Sequence, residues 1–189
     1  MISFLLQKIK EIDWQIFHLM STTIKNPFLD KWMPIITNLE NWIWLLVLGW
    51  VVLFIFGGRR GRLACIAVIL AVLLADNFCS YVLKPYFGRV RPSVLLGLST
   101  GVSCSFPSNH AANVFAMASV LSWYYRRFLV VWFTAAVIVG FSRIYIGVHF
   151  PTDVIGGATL GILCAGVVIW LINAVDNKIL LLSKKSIEE

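Results

Sequence analysis

Five apolar runs, residues 42–56, 63–83, 109–125, 128–146 and 151–173, dominate the chain and leave few folds open to it. Each is long and nearly uncharged, and short polar stretches separate them. Runs of this kind read as membrane spans. In hydrocarbon no water meets the backbone N–H and C=O groups, so each run must satisfy them internally as a helix. Composition agrees: 59% of the 189 residues are hydrophobic, against ~45–50% in soluble proteins, and 13% are charged. Mean hydropathy is +0.84. The expected fold is all-α, an integral membrane bundle of five transmembrane helices in one domain. Residues 1–38 form its N-terminal segment, 39–175 its transmembrane core and 176–189 a cytoplasmic tail.

Ahead of the first run, Phe4, Leu5, Ile9, Ile12, Ile16, Leu19 and Met20 recur at helical spacing between polar residues. The pattern predicts an amphipathic helix over 2–24 lying in the membrane interface. A spanning helix with its charges turned inward is the alternative. His18 reads as an interfacial residue. Asn26-Pro27 and Met33-Pro34 break the chain and leave room for a short helix between them. Trp42, Trp44 and Trp50 suit interfacial positions. The first residues lack a basic n-region, and Lys8, Lys10, Glu11 and Asp13 interrupt the apolar pattern, so no cleavable signal peptide is expected.

Consecutive spans alternate in direction, which sorts the basic residues by side. Arg59, Arg60 and Arg62, in a short basic loop, share one side with Arg126, Arg127, Lys178, Lys184 and Lys185. Lys84, Arg89, Arg91 and Arg143 lie on the other. The positive-inside rule puts the first set in the cytoplasm and the second on the periplasmic, exterior or lumenal side. The net charge of +7 is scattered among apolar spans, with no separate basic domain or basic stripe, so nucleic acid is not an expected partner. Anionic lipid headgroups suit it better. Cys65, Cys79, Cys104 and Cys164 match neither a zinc site nor a CxxC pair. Only Cys79 could reach Cys104, and no disulfide is expected.

Chemistry concentrates between Lys84 and Asp153. In Ser142-Arg-Ile-Tyr-Ile-Gly-Val-His-Phe-Pro-Thr-Asp153, Pro151 suits the first turn of a helix and Asp153 would follow within that turn. His149 sits just before it. A contact from Asp153 to one ring nitrogen would fix the tautomer and leave the other nitrogen free to attack. Lys84, Arg91 and Arg143 can cradle phosphate oxygens, arginine in bidentate fashion. Arg143 weighs against a mere topology role, because it sits where the positive-inside rule would not put it. Ser108 and Asn109 open a helix after Pro107, where N–H groups make an anion site. Ser108 can also simply cap that helix. His110, alone, would be an ordinary structural histidine; beside His149 and these cations it becomes a general acid.

The spacing Lys84, six residues, Arg91-Pro92, then Pro107-Ser108-x-His110, then Ser142-Arg143, five residues, His149, three residues, Asp153 resembles the three-part signature of the type 2 phosphatidic acid phosphatase superfamily. The match spans about 70 residues in the right order. It implies a membrane lipid phosphatase in which His149 is the nucleophile, Asp153 its partner and His110 the acid–base. Lys84, Arg91, Ser108, Asn109 and Arg143 would bind substrate phosphate. Implied substrates are lipid A 1-phosphate, undecaprenyl diphosphate, phosphatidylglycerophosphate and phosphatidic acid, and the compact size resembles bacterial members, hence an inner-membrane location. The family usually has Gly where this chain has Asn109; asparagine tolerates left-handed backbone better than most residues, so the loop is expected to survive. Arg89 lies outside the motif and reads evenly as a headgroup contact or plain surface.

No cofactor is implied. Two histidines and an aspartate could suggest zinc, but the surrounding cations favour an anion, so no metal is expected. Asp76, within the second run, is expected to pair with a cationic residue or backbone rather than to catalyse. Gly157, Gly161 and Ala165 predict close packing within the monomer in preference to dimerisation. The rival functions are a lipid phosphotransferase using the same phosphohistidine, a vanadate-dependent halide oxidation, which the spans oppose, and a transporter carrying the motif as a relic.

Overall fold

The computed structural model describes residues 2–100 and 104–188, with side chains for residues 4, 7–100 and 104–176. Its elements are helices: α1 (Ile2–His18), continued by a π-helical turn (Leu19–Thr23), α2 (Pro27–Thr37), α3 (Ile43–Phe56), α4 (Gly58–Asn77), continued by a π-helical segment (Phe78–Leu83), α5 (Lys84–Phe87), α6 (Pro92–Leu95), α7 (Asn109–Tyr124), α8 (Leu129–Tyr145) and α9 (Pro151–Glu188). Among the described residues the only β pairing is a single bridge, Val90 to Cys104.

The helical bundle is as the apolar runs require, with differences at the ends. Three stretches are long and apolar enough to cross a membrane: Gly58–Phe87, Arg126–Tyr145 and Pro151–Asp176. At 14 residues, α3 rises about 21 Å, short of the ~30 Å hydrocarbon core. The 16 residues of α7 are likewise below the ~20 that a span needs. The expected basic loop at 57–62 is largely helix, since α4 starts at Gly58. The reversal from α3 needs only Gly57 and Gly58. A Cβ on Gly57 would lie 2.3 Å from the Leu53 carbonyl, and Gly58 takes φ +60°, open to glycine. Pro34 does not end α2, which runs on to Thr37. Tertiary anchors at both ends of α2 outweigh the backbone bond that proline forfeits. The backbone of α9 stays helical to Glu188, through the stretch read as the tail.

The core of the bundle is a seam of small residues. Ala64, Ala67, Ala71 and Ala75 of α4 face Ala112 and Ala116 of α7 and Ala165 of α9, all fully buried. A Cβ on Gly161 would stand 2.1 Å from the Ala112 carbonyl oxygen, and one on Gly157 2.4 Å from that of Ser108. Such contact of backbone with backbone is how helices associate where lipid removes the hydrophobic drive. The glycine spacing therefore serves packing within the monomer. Large apolar side chains point outward instead, and α3 buries none of its residues. At the end carrying the α3–α4 turn, Arg59 pairs with Asp176 at 2.6 Å and Arg60 stacks over Tyr125 at 5.2 Å. Arg59, Arg60, the end of α7 and the Asp176 turn of α9 thus share one end of the bundle, as the sorting of basic residues requires.

Candidate active site

At the opposite end, the starts of α7 and α9 are tied together. Ser108 N–H donates to the Asp153 carbonyl at 3.0 Å. Ser108 caps α7, its Oγ accepting from Ala111 N–H at 3.5 Å, and is fully buried. Asn109 opens the helix in ordinary right-handed geometry, as no non-glycine residue among the described ones has positive φ. The concern about left-handed backbone at this position does not arise. Its amide instead donates to Asp76 Oδ1 at 2.8 Å and Ser80 Oγ at 2.7 Å, and its Oδ1 accepts from the Cys79 thiol at 3.1 Å. Asp76 accepts also from Asn113, at 2.9 Å. It is held by two side-chain amides, not by the cation or backbone expected, because Asn109 and Asn113 recur one turn apart on the helix facing it.

The turn after α8 folds back on Arg143. Val148 and His149 N–H groups both donate to its carbonyl, at 3.2 and 3.3 Å, with Gly147 at φ +81° making the reversal. His149 is thereby buried beside Arg143, just ahead of Pro151 at the first turn of α9. Asp153 lies in that turn, fully buried. Its Oδ2 accepts from Phe150 N–H at 2.8 Å and from the Ser105 hydroxyl, and its Oδ1 accepts from Arg89 Nη1 at 2.8 Å. Asp153 Oδ2 stands 3.5 Å from His149 Nδ1, which has no shorter partner among the described residues. The ring therefore turns Nδ1 to the carboxylate, leaving Nε2 on its far side.

Around this pair the cations converge. Arg143, Arg91 and Lys84 are the cations bearing on His110, with His149 beside them. Arg91 precedes Pro92 and α6 in extended backbone. Arg143 donates from Nη1 to Thr37 Oγ1 at 2.6 Å, so α2 anchors it. The Nε atoms of Arg91 and Arg143 are buried without partners among the described residues. Such orphaned donors mark a place where an anion would complete the bonding. Burial pushes the His149 imidazole below its ordinary pKa; Asp153 opposes this, and Arg91 and Arg143 add to it. Burial also lowers the Arg91 guanidinium from its usual high value, against the pull of Asp153. A neutral imidazole among cations keeps a free lone pair beside donors that suit an anion. The four cysteines are free.

All of the residues singled out in the three motifs come to this end of the bundle. Others join them that spacing could not suggest. Arg89 is neither headgroup contact nor plain surface: its Nη2 donates to Asp13 Oδ2 at 2.5 Å, and its guanidinium stacks 4.1 Å over Phe150. Asp13, on α1, is buried and also accepts from Thr152 N–H at 2.9 Å and the Thr152 hydroxyl at 2.6 Å. One sequence signal existed for it. Asp13 lies four residues before Phe17, and both fall off the apolar stripe Ile9–Ile12–Ile16–Leu19; here they are the buried face, while Ile9, Ile12 and Leu19 are exposed.

A family model described as the PAP2 superfamily matches residues 63–176. A lipid A 4'-phosphatase of Bacteroides thetaiotaomicron is 29% identical, covering 83% of this chain and 75% of that protein. Phosphatidylglycerophosphatase B of Bacillus subtilis is 34% identical, covering 82% of this chain and 79% of that protein. Among solved structures, Aquifex aeolicus LpxE superposes with a TM-score of 0.68 at 31% identity, covering 84% of this chain and 94% of that one.

Proposed function

Since this chain belongs to the PAP2 superfamily of membrane lipid phosphatases, we propose that it hydrolyses a phosphomonoester or terminal pyrophosphate of a lipid through a phosphohistidine on His149. The observation that carries the reading is the setting of His149, with Nδ1 toward Asp153 and the unpartnered donors of Arg91 and Arg143 in its surroundings. His149 Nε2 attacks phosphorus while the bond to the lipid oxygen breaks. His110 gives that oxygen its proton, and the dephosphorylated lipid leaves. Water then attacks the phosphohistidine, its proton passing to His110, and inorganic phosphate departs as His149 is restored. Lys84, Arg91 and Arg143 offset the charge that builds on the equatorial oxygens, with Ser108 and the Asn109 N–H at the start of α7 as further donors. Asp153 holds the ring and stabilises its charged form. The chemistry needs no cofactor or metal.

The substrate is one of the lipids whose phosphate can sit at a membrane boundary with its chains still in the bilayer: lipid A 1-phosphate, undecaprenyl diphosphate, phosphatidylglycerophosphate or phosphatidic acid. The site faces the periplasm or exterior of a bacterial inner membrane. The clustering of Arg59 and Arg60 at the far end of the bundle supports that orientation. The test is phosphate release from a panel of these four lipids in detergent with EDTA, wild type against His149→Ala. Release by wild type alone supports the reaction. Release by the variant at the wild-type rate sinks it, and transfer to an added lipid alcohol without free phosphate would make the protein a phosphotransferase.

A further inference from the structure

The motif residues explain the reacting groups but not what holds Asp153 still. Its carboxylate is fully buried and its Oδ1 is gripped by one arm of Arg89. The other arm of Arg89 is gripped by Asp13, 76 residues away on the N-terminal helix. Nη1 of Arg89 also donates to Thr152 Oγ1 at 2.6 Å, and that hydroxyl in turn donates to Asp13 Oδ2. Thr152 N–H, at the start of α9, donates to Asp13 Oδ1. With the stacking on Phe150, Arg89 is fixed on three sides. Such an arrangement leaves the guanidinium one orientation, and that orientation sets where Asp153 Oδ1 can lie.

Asp13 is fully desolvated beside Arg89, and a buried carboxylate without a charge partner is strongly unfavourable. Docking of α1 onto α9 would not need it: Phe17 and Trp14 already pack against Phe150 at ring separations of 5.3 and 5.0 Å. The carboxylate adds direction rather than adhesion. Asp13 also lies outside residues 63–176, the stretch matched by the family model.

We propose that Asp13 is a positioning residue of the active site: through Arg89 it orients the Asp153 carboxylate, and through Asp153 the ring of His149. This rests on the reading of His149 as nucleophile. A carboxylate that has lost its Arg89 contact is held only through Oδ2, by Phe150 N–H and the Ser105 hydroxyl, and can pivot about those bonds, so the nucleophilic nitrogen loses alignment. Misplacement on this scale costs turnover by ~10–100-fold without weakening phosphate binding, since the cradle of Lys84, Arg91 and Arg143 does not involve Asp13.

The experiment measures kcat and KM separately on the lipid that wild type hydrolyses fastest, for Asp13→Asn, Asp13→Glu and Arg89→Lys, each checked for its melting temperature. Asp13→Asn keeps the size but weakens the grip on Arg89, and kcat is expected to fall ~10–100-fold with KM within about twofold. Asp13→Glu should recover part of that loss, and Arg89→Lys, which cannot fork between two carboxylates, should reproduce it. Wild-type kcat in folded Asp13→Asn, or a change confined to KM, overturns the proposal. Should Asp13→Asn not fold, wild-type kcat in Arg89→Lys overturns it equally. A second readout stands apart from activity: hydrogen exchange at Phe150 N–H, which Asp153 Oδ2 accepts, should quicken at least ~10-fold in Asp13→Asn. Unchanged exchange refutes the positioning role whatever the reaction is. A wild type releasing no phosphate from any lipid, with exchange still quickened, refutes the reaction while leaving Asp13 as the residue that orients Asp153.

Discussion

Replacing Gly161 by alanine should damage both stability and turnover, although the change adds a single methyl group to a helix. A Cβ built there lies 2.1 Å from the Ala112 carbonyl oxygen and 2.9 Å from the Ala116 nitrogen, where real contacts essentially never come under 3.0 Å. Both obstacles are backbone, so no side chain can swing aside. The two helices must part by about 0.9 Å. Overpacking costs ~1–3 kcal/mol, and with backbone as the obstacle the upper end, ~3 kcal/mol, applies; alanine in place of glycine returns ~0.5–1 kcal/mol of helix propensity, leaving a net loss of about 2 kcal/mol. The shift is transmitted to chemistry because α7 carries His110 and α9 carries Asp153, and a misplacement near 1 Å can cost ~100-fold in rate. Thermal unfolding in detergent and phosphate release measure the two effects. Gly166→Ala is the internal control, since nothing lies within 4 Å of a Cβ there and its stability should match or exceed wild type. If Gly161→Ala behaves like Gly166→Ala in both assays, the packing account of the seam is wrong.

Two further predictions concern the site itself. His149 must be neutral to attack, and burial holds its pKa below the ordinary histidine value of 6.5. The acid limb of kcat/KM that belongs to His149 should therefore lie below pH 6.5, with activity kept as pH falls through that value; Asp153→Asn, which removes the group opposing the shift, should move the limb lower still while slowing turnover. A limb assigned to His149 above 6.5 contradicts the electrostatic picture. Thr37→Ala removes the hydroxyl that accepts from Arg143 at 2.6 Å. A hydrogen bond to a charged group contributes ~1.5–3 kcal/mol, so kcat/KM should fall about 10-fold or more, and an unchanged kcat/KM would show that α2 does not steady the phosphate cradle.

How far the sequence disclosed this site depended on how local each relation is. His149, Pro151 and Asp153 are separated by one helical turn, and proline and helix dipole state the geometry outright. Ser108 was legible as a cap for the same reason. Asp13 to Arg89, Thr37 to Arg143 and Asp30 to Tyr145, by contrast, join residues 76, 106 and 115 positions apart. Aspartate and threonine in a polar stretch look like solvated surface until the fold brings them in. On the N-terminal helix the apolar stripe expected to face the membrane interface does point outward. The opposite flank, bearing Asp13, Phe17 and Ser21, is the one the protein buries, which an amphipathic pattern alone does not single out. Pro34 illustrates the opposite failure, a strong local signal overridden by tertiary anchoring through Thr37 and the bond from Tyr145 to Asp30.

The alanine and glycine seam also bears on how such an enzyme can change over generations. Where backbone rests on backbone there is no neighbouring side chain to shrink in compensation for one that grows, so most of the seam admits few paired substitutions. Drift in headgroup preference must then be written elsewhere, in the segment between Lys84 and Ser108 and on the outward faces of the helices. The frame joining the starts of α7 and α9 would persist while the surfaces that choose the lipid turned over around it.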